Sequence, residues 1–285
     1  MKKLPQLLPM VALALLFATN ASYASSVIFD NGSPDGSMAS LSRPSAGGVL
    51  QTESADDFTL STVTSISSAT FTGLVTGASP TIGNVTVEIY RVFPNDSNTV
   101  RVPNVPTRVN SPSDVAFDSR SSSAADLIFS TSTLAVTFSA TNSVVNGINP
   151  SPNQHTGGEG PVSGQEVMFT VNFTTPFILP ADHYFFVPEV QVTGGNFLWL
   201  SSGTPTLPDL QGWVRNDNLD PDWLRIGTDI VGGTNPPRFN FAFSLESDSA
   251  ATPLPAALPL FVSGAGVLGF FGWRKKRKCG AALAA

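Results

Sequence analysis

Between residues 25 and 252 apolar and polar positions alternate with a period of two, and no stretch repeats with the 3.6-residue period of an amphipathic helix. Val85, Val87 and Ile89 alternate with Thr86, Glu88 and Tyr90. Leu134, Val136 and Phe138 alternate with Ala135 and Thr137, and Val167, Phe169, Val171 and Phe173 with Met168, Thr170 and Asn172. Phe239, Phe241, Phe243 and Leu245 alternate with Asn240, Ala242 and Ser244. Each run predicts a half-buried antiparallel strand. Further strands are expected at 26–29, 56–60, 63–72, 183–192 and 196–201. Turns are expected where Asn, Gly, Pro and Asp cluster, at 31–36, 93–96, 149–153 and 193–196. Two stretches break the pattern, the Pro-, Ser- and Asp-rich 102–123 and the Gly-rich 145–164, and are expected to form long surface loops. The pattern predicts an all-β domain over 25–250, a single antiparallel β-sandwich or jelly roll of about ten strands. No internal repeat of 20 to 50 residues is evident, which argues against a propeller or solenoid.

Outside that domain the pattern changes to continuous apolar runs. Lys2 and Lys3 precede the apolar stretch Leu7 to Ala18 and a small-x-small site, Ser22-Tyr23-Ala24. This is the layout of a secretory signal peptide over 1–24, with Ser25 as the mature N-terminus after cleavage by signal peptidase and export by the general secretion machinery. Leu254 to Trp273 carries no charge and ends against Arg274, Lys275, Lys276, Arg277 and Lys278. Twenty helical residues span roughly 30 Å, one bilayer core, although Pro255 and Pro259 shorten the helix. The basic cluster is then the cytoplasmic stop of a transmembrane helix, and 281–285 a short tail. Gly264-Ala265-Gly266-Val267-Leu268-Gly269 matches the dinucleotide pattern GxGxxG, but no acid follows it, so close helix packing is the better account.

Charge sharpens this picture. The 285 residues hold 15 Lys and Arg against 21 Asp and Glu; seven of the basic residues lie in the two end segments. Residues 25–252 therefore keep eight Arg, no Lys and all 21 acids, a net charge of −13. Such a body has no positive face for nucleic acid. The chain's single cysteine, Cys279, lies in the basic tail, so the exported part can form neither a disulfide nor a cysteine metal site.

The run Thr252-Pro253-Leu254-Pro255-Ala256-Ala257-Leu258-Pro259, followed by the apolar helix and the basic cluster 274–278, resembles a PEP-CTERM protein-sorting domain over 251–280. Where the family name implies Pro-Glu-Pro this chain has Pro253-Leu254-Pro255, so it resembles a Pro-Leu-Pro-Ala variant centred on Pro253, Leu254, Pro255 and Ala256. The resemblance implies recognition by an exosortase that cuts near the Pro-rich motif, in a Gram-negative bacterium that makes exopolysaccharide. It also implies delivery to the cell surface or matrix after a single-pass inner-membrane intermediate. The body is similar to exported members that begin with Asp30-Asn31-Gly32 and Ala55-Asp56-Asp57-Phe58 and close with a segment like 220–230 before a last Phe-rich strand. That likeness implies a β-sandwich and assigns no site.

Candidate chemistry in the body is sparse. His155 and His183 are the only histidines, and there is no GxSxG elbow, HExxH or P-loop. A glycosidase would need two acids held across a cleft, which spacing along the chain does not reveal. The segment 211–225 places Trp213, Arg215, Asp217, Asp220, Asp222 and Trp223 within fifteen residues. Aromatic faces with carboxylates and a guanidinium suit a sugar ring, so these six residues are the candidate glycan site. The competing reading has both Trp rings filling the core while the acids solvate a turn. Asp217, Asp220 and Asp222, or Asp30, Asn31 and Asp35, are also the residues that would hold a structural calcium. No other cofactor is expected. The expected function is that of a non-catalytic exported envelope or matrix protein associated with exopolysaccharide or biofilm. The alternatives are a carbohydrate-binding module and a secreted carbohydrate-active enzyme with the same sorting signal.

Overall fold

The computed structural model describes residues 25–93, 110–148, 155–203 and 211–248, and Ser25–Asp248 form one compact unit. The expected signal peptide at 1–24, the Pro-rich motif at 253–256, the expected transmembrane helix and the basic cluster at 274–278 lie outside the described residues. Among the described residues no helix is long and apolar enough to cross a membrane.

The unit is all-β. Its strands are β1 (Ser25–Asp30), β2 (Pro34–Leu41), β3 (Thr52–Leu60), β4 (Thr64–Val75), β5 (Thr81–Val92), β6 (Pro112–Ser121), β7 (Leu127–Ala140) and β8 (Asn142–Val144). They continue with β9 (Val162–Leu179), β10 (Asp182–Thr193), β11 (Phe197–Ser202), β12 (Trp213–Asn216), β13 (Leu224–Arg225), β14 (Asn240–Phe241) and β15 (Phe243–Asp248). One wide helical turn, Ile226–Val231, follows β13.

Among the described residues nine strands make the first sheet and six the second. In the first sheet β4 is central. On one side it pairs with β9, and β9 with β7; on the other it pairs with β15 along 68–71 and with β11 along 73–75. The last Phe-rich strand sits in that fork. It divides at Ala242 because β14 pairs with β11 while β15 pairs with β4 and β1. The second sheet runs β13-β12-β3-β10-β5-β6, antiparallel throughout.

The inward residues of both sheets form one aromatic core. Phe186 of β10 stacks on Phe243 of β15 with ring centroids 5.0 Å apart, and Trp199 of β11 stacks on Phe241 at 4.6 Å. Phe71 stacks on Phe169 at 5.0 Å. Each fully buried ring contributes on the order of 2–3 kcal/mol by leaving water. At the sheet edge Arg120 of β6 lies 4.3 Å over Phe177 of β9 and donates from Nε to the Thr175 carbonyl at 2.6 Å, linking one sheet to the other.

Several expectations are revised. Among the described residues there are fifteen strands rather than about ten, because pairings of two to four residues such as β8, β12, β13 and β14 are too short to show a period. The architecture is not wholly antiparallel, since β2 and β8 pair in parallel. Half of the expected loop 102–123 is strand β6, and β2 starts at Pro34 inside the expected turn. Alternation in β7 does not mark a half-buried strand: Leu134 and Val136 are 50% and 81% exposed, because this strand lies at the sheet edge.

Candidate functional site

The outer face of the second sheet carries the most unusual chemistry. Period-two geometry puts Glu53, Ala55 and Asp57 of β3 on that face with Glu88 and Tyr90 of β5, Glu189 of β10, and Trp213 and Arg215 of β12. Cross-strand register brings Arg215 opposite Glu53 and Trp213 opposite Ala55. Ser111, Ser113 and Asp114 are buried there too, and segment 217–223, with a cis Asp220–Pro221 peptide, leads back from β12 to β13.

Arg215 organises the cluster. It grips Glu53 with both ends of its fork, Nε to Oε2 at 2.5 Å and Nη2 to Oε1 at 3.1 Å. It also donates to Tyr90 Oη at 2.7 Å and to the Asp114 and Pro221 carbonyls at 2.9 and 3.2 Å, and pairs with Asp220 at 3.0 Å. Its guanidinium plane lies 4.4 Å over the Trp223 ring. Burial opposes the charge, but Glu53 and Tyr90 outweigh it and hold the guanidinium pKa above its usual value. Such an environment needs a delocalised, planar, permanently charged group, and arginine provides it.

Three glutamates share this one arginine. Tyr90 Oη lies 2.8 Å from Glu53 Oε1 and 2.7 Å from Glu88 Oε2, yet a phenol has one proton to donate. Burial, then the Glu53 charge, pushes Glu88 up to about 7. A protonated Glu88 can donate to Tyr90 Oη while Tyr90 donates to Glu53, so every contact has its proton. Glu189, almost fully buried, accepts from Gln51 Nε2 at 2.8 Å and is pushed well above the usual carboxylate range by burial and by Glu53.

The candidate glycan residues are brought into one neighbourhood, but not as a surface. Trp213 and Trp223 are both 0% exposed. Trp223 donates from Nε1 to the Ser113 carbonyl at 3.1 Å and meets Tyr90 edge-on, while Arg225 lies 4.8 Å over Trp213. Neither ring offers a face to a sugar. The calcium candidates have separate duties: Asp217 accepts the Gln51 N–H at 2.9 Å, Asp220 pairs with Arg215, and Asp222 is buried. Asp30 accepts the Gly32 N–H, Asn31 donates to Asp56, and Asp35 accepts from Ser37 N and Ser201 Oγ. Among the described residues no group of three or more His, Cys, Asp or Glu is arranged to hold a metal ion.

The histidines are also engaged. His183 Nε2 is 3.2 Å from Asp57 Oδ2, and His155 Nδ1 is 3.4 Å from the Asp229 carbonyl. An open cleft of about 280 Å³ lies elsewhere, lined by Arg43, Gln191, Thr193, Asn196 and the backbone of Gly194 and Gly195. Arg43 Nη1 donates to Asn196 Oδ1 at 2.5 Å and its Nε to the Leu50 carbonyl at 3.3 Å, so the cleft's cation already bridges its walls.

Comparison of the chain with protein-family models, curated proteins and solved structures gives no match. Sequence reasoning singled out Arg215 and the two Trp but missed their partners Glu53, Glu88, Tyr90 and Glu189. The alternation 85–90 already puts Glu88 and Tyr90 on one face; Glu53 escaped because β3 was read as starting at Asp56.

Proposed function

We propose that this chain is a non-catalytic exported protein, sorted by an exosortase and delivered to the cell envelope or its exopolysaccharide matrix. Its two sheets, facing each other across one aromatic core, support reading the body as a β-sandwich. The observation that carries the reading is where the folded unit begins and ends. Ser25 is the residue after the expected signal cleavage, and Asp248 lies four residues before Thr252, the start of the sorting motif. The two are partners in register on adjacent antiparallel strands, and Ser25 Oγ donates to Glu246 Oε2 at 2.5 Å. Both ends of the body thus leave from one edge, so cutting either flank removes none of the described strands. The carboxylates that a hydrolase would aim at a substrate are engaged internally by Arg215, Tyr90 and Gln51, which favours a structural role over the enzyme alternative.

Mass spectrometry of the native protein's C-terminal peptide, from separated membrane, surface and medium fractions, tests this. A terminus near Pro253 in the surface or medium fraction is expected. A terminus at Ala285, confined to the inner membrane, would overturn exosortase sorting. Turnover of a polysaccharide by the purified protein would overturn the non-catalytic reading.

A further inference from the structure

β7 is an unprotected sheet edge. Along Leu127–Thr133 it pairs residue by residue with Phe173–Val167 of β9, and among the described residues no strand pairs with its other side. Natural edges are blunted by charge, proline, brevity or bulges. The other edges of this fold follow that rule. β6 carries Pro112, Asp114, Asp118 and Arg120; β8 and β13 have three and two residues; β1 has six and ends in Asp30. β7 has fourteen residues with no charge and no proline. Its bulges fall only after Thr133, and it exposes Ile128 (59%), Leu134 (50%) and Val136 (81%) to solvent.

The occupant follows from the strand's own sequence, which is uncharged and self-complementary. The body carries −13 and no lysine, so two copies repel wherever their acids face each other. A charge-free strand is where they can approach. We propose that β7 pairs antiparallel with β7 of a second copy of this chain, joining the two first sheets across a two-fold axis. Centred near Thr131, this pairing sets Ile128 of one copy against Leu134 of the other and Ser130 against Ser132. Apolar and hydroxyl cross-strand pairs of this kind stabilise a ladder. Because a strand meeting itself about a two-fold axis is a closed interaction and the other edges are blunted, the product is a dimer rather than a filament.

The test is sedimentation of the full chain, purified in mild detergent, over a range of concentrations. A reversible dimer is expected. The double variant S130K/S132K sets like charges opposite each other and raises the dissociation constant by at least roughly tenfold, with an unchanged circular dichroism spectrum. A chain that stays monomeric would overturn the proposal, as would a dimer indifferent to the lysines, which would place the contact elsewhere. If the lysine variant does not fold, hydrogen exchange on the unsubstituted chain decides. The amides of 128–134 not engaged by β9 gain protection as concentration rises; exchange independent of concentration overturns the pairing.

Discussion

Asn31 donates from Nδ2 to Asp56 Oδ2 at 2.8 Å, and the Phe241 N–H reaches the same oxygen at 2.6 Å. Asp56 is fully buried, and burial together with its neighbour Asp57 raises its pKa well above the usual value. The contact ties the β1–β2 turn and the last Phe-rich strand to the second sheet. Replacing Asp56 by Ala leaves two buried donors short of an acceptor, at about 1–3 kcal/mol each. Asp56→Ala is therefore expected to lower unfolding free energy in urea by roughly 2–5 kcal/mol, and Asp56→Asn by clearly less, because an amide oxygen still accepts from Phe241. Equal losses from the two would show that the carboxylate's acceptor role is not what matters. The segments Asp30-Asn31-Gly32 and Ala55-Asp56-Asp57-Phe58 meet here. Each was legible as a segment. Their meeting was not, since it depends on which sheet each strand joins.

At the scale of elements, legibility followed burial on one face. β5 and β9 alternate cleanly because one face of each packs into the common core, whereas β10 is buried on both faces from Tyr184 to Val190. β6 inverts the rule: its buried residues are Pro112, Ser113 and Asp114, while Val115 and Phe117 are exposed. No pattern of hydrophobicity could have revealed it. β12 is likewise short, and what fixes it is polar, the Arg215–Glu53 pair. Arg215→Met strands Glu53 in a buried site and is expected to cost about 3–5 kcal/mol in chemical denaturation. Arg215→Lys should recover little of that loss, since an ammonium can neither grip Glu53 bidentately nor stack on Trp223. Adding Glu53→Met to Arg215→Met removes the stranded charge and should restore a large part of the stability. A double variant as unstable as the single one would mean that stacking on Trp223, not charge pairing, is what Arg215 supplies.

At the scale of the whole molecule, an acidic body holds several carboxylates whose pKa values the fold has raised, and this sets the direction in which stability depends on pH. Burial, then the Glu53 charge, pushes Glu88 up to about 7 from the usual 4.5, and Glu189, Asp56 and Asp57 are raised as well, chiefly by burial. Between about 4.5 and 7 the folded chain therefore binds more protons at Glu88 than the unfolded chain does. Stability then falls as pH rises through that window. That rise corresponds to roughly 3 kcal/mol at most from Glu88, and Glu189 acts with the same sign. Glu159 is the exception. Burial acts to raise it, but the N–H groups of Asn146, Gly147 and Val145 prevail and hold it below 4.5, outside this window. Scanning calorimetry should give a higher Tm at pH 5 than at pH 8, and relief of repulsion within a body charged at −13 acts in the same direction. Glu88→Gln, which keeps an amide donor for Tyr90 Oη, should flatten the slope and raise the Tm at pH 8 while changing little at pH 5. A Tm that climbs from pH 5 to pH 8 would show that the three glutamates are ionised around Arg215, and the proton placed on Glu88 would have to be abandoned.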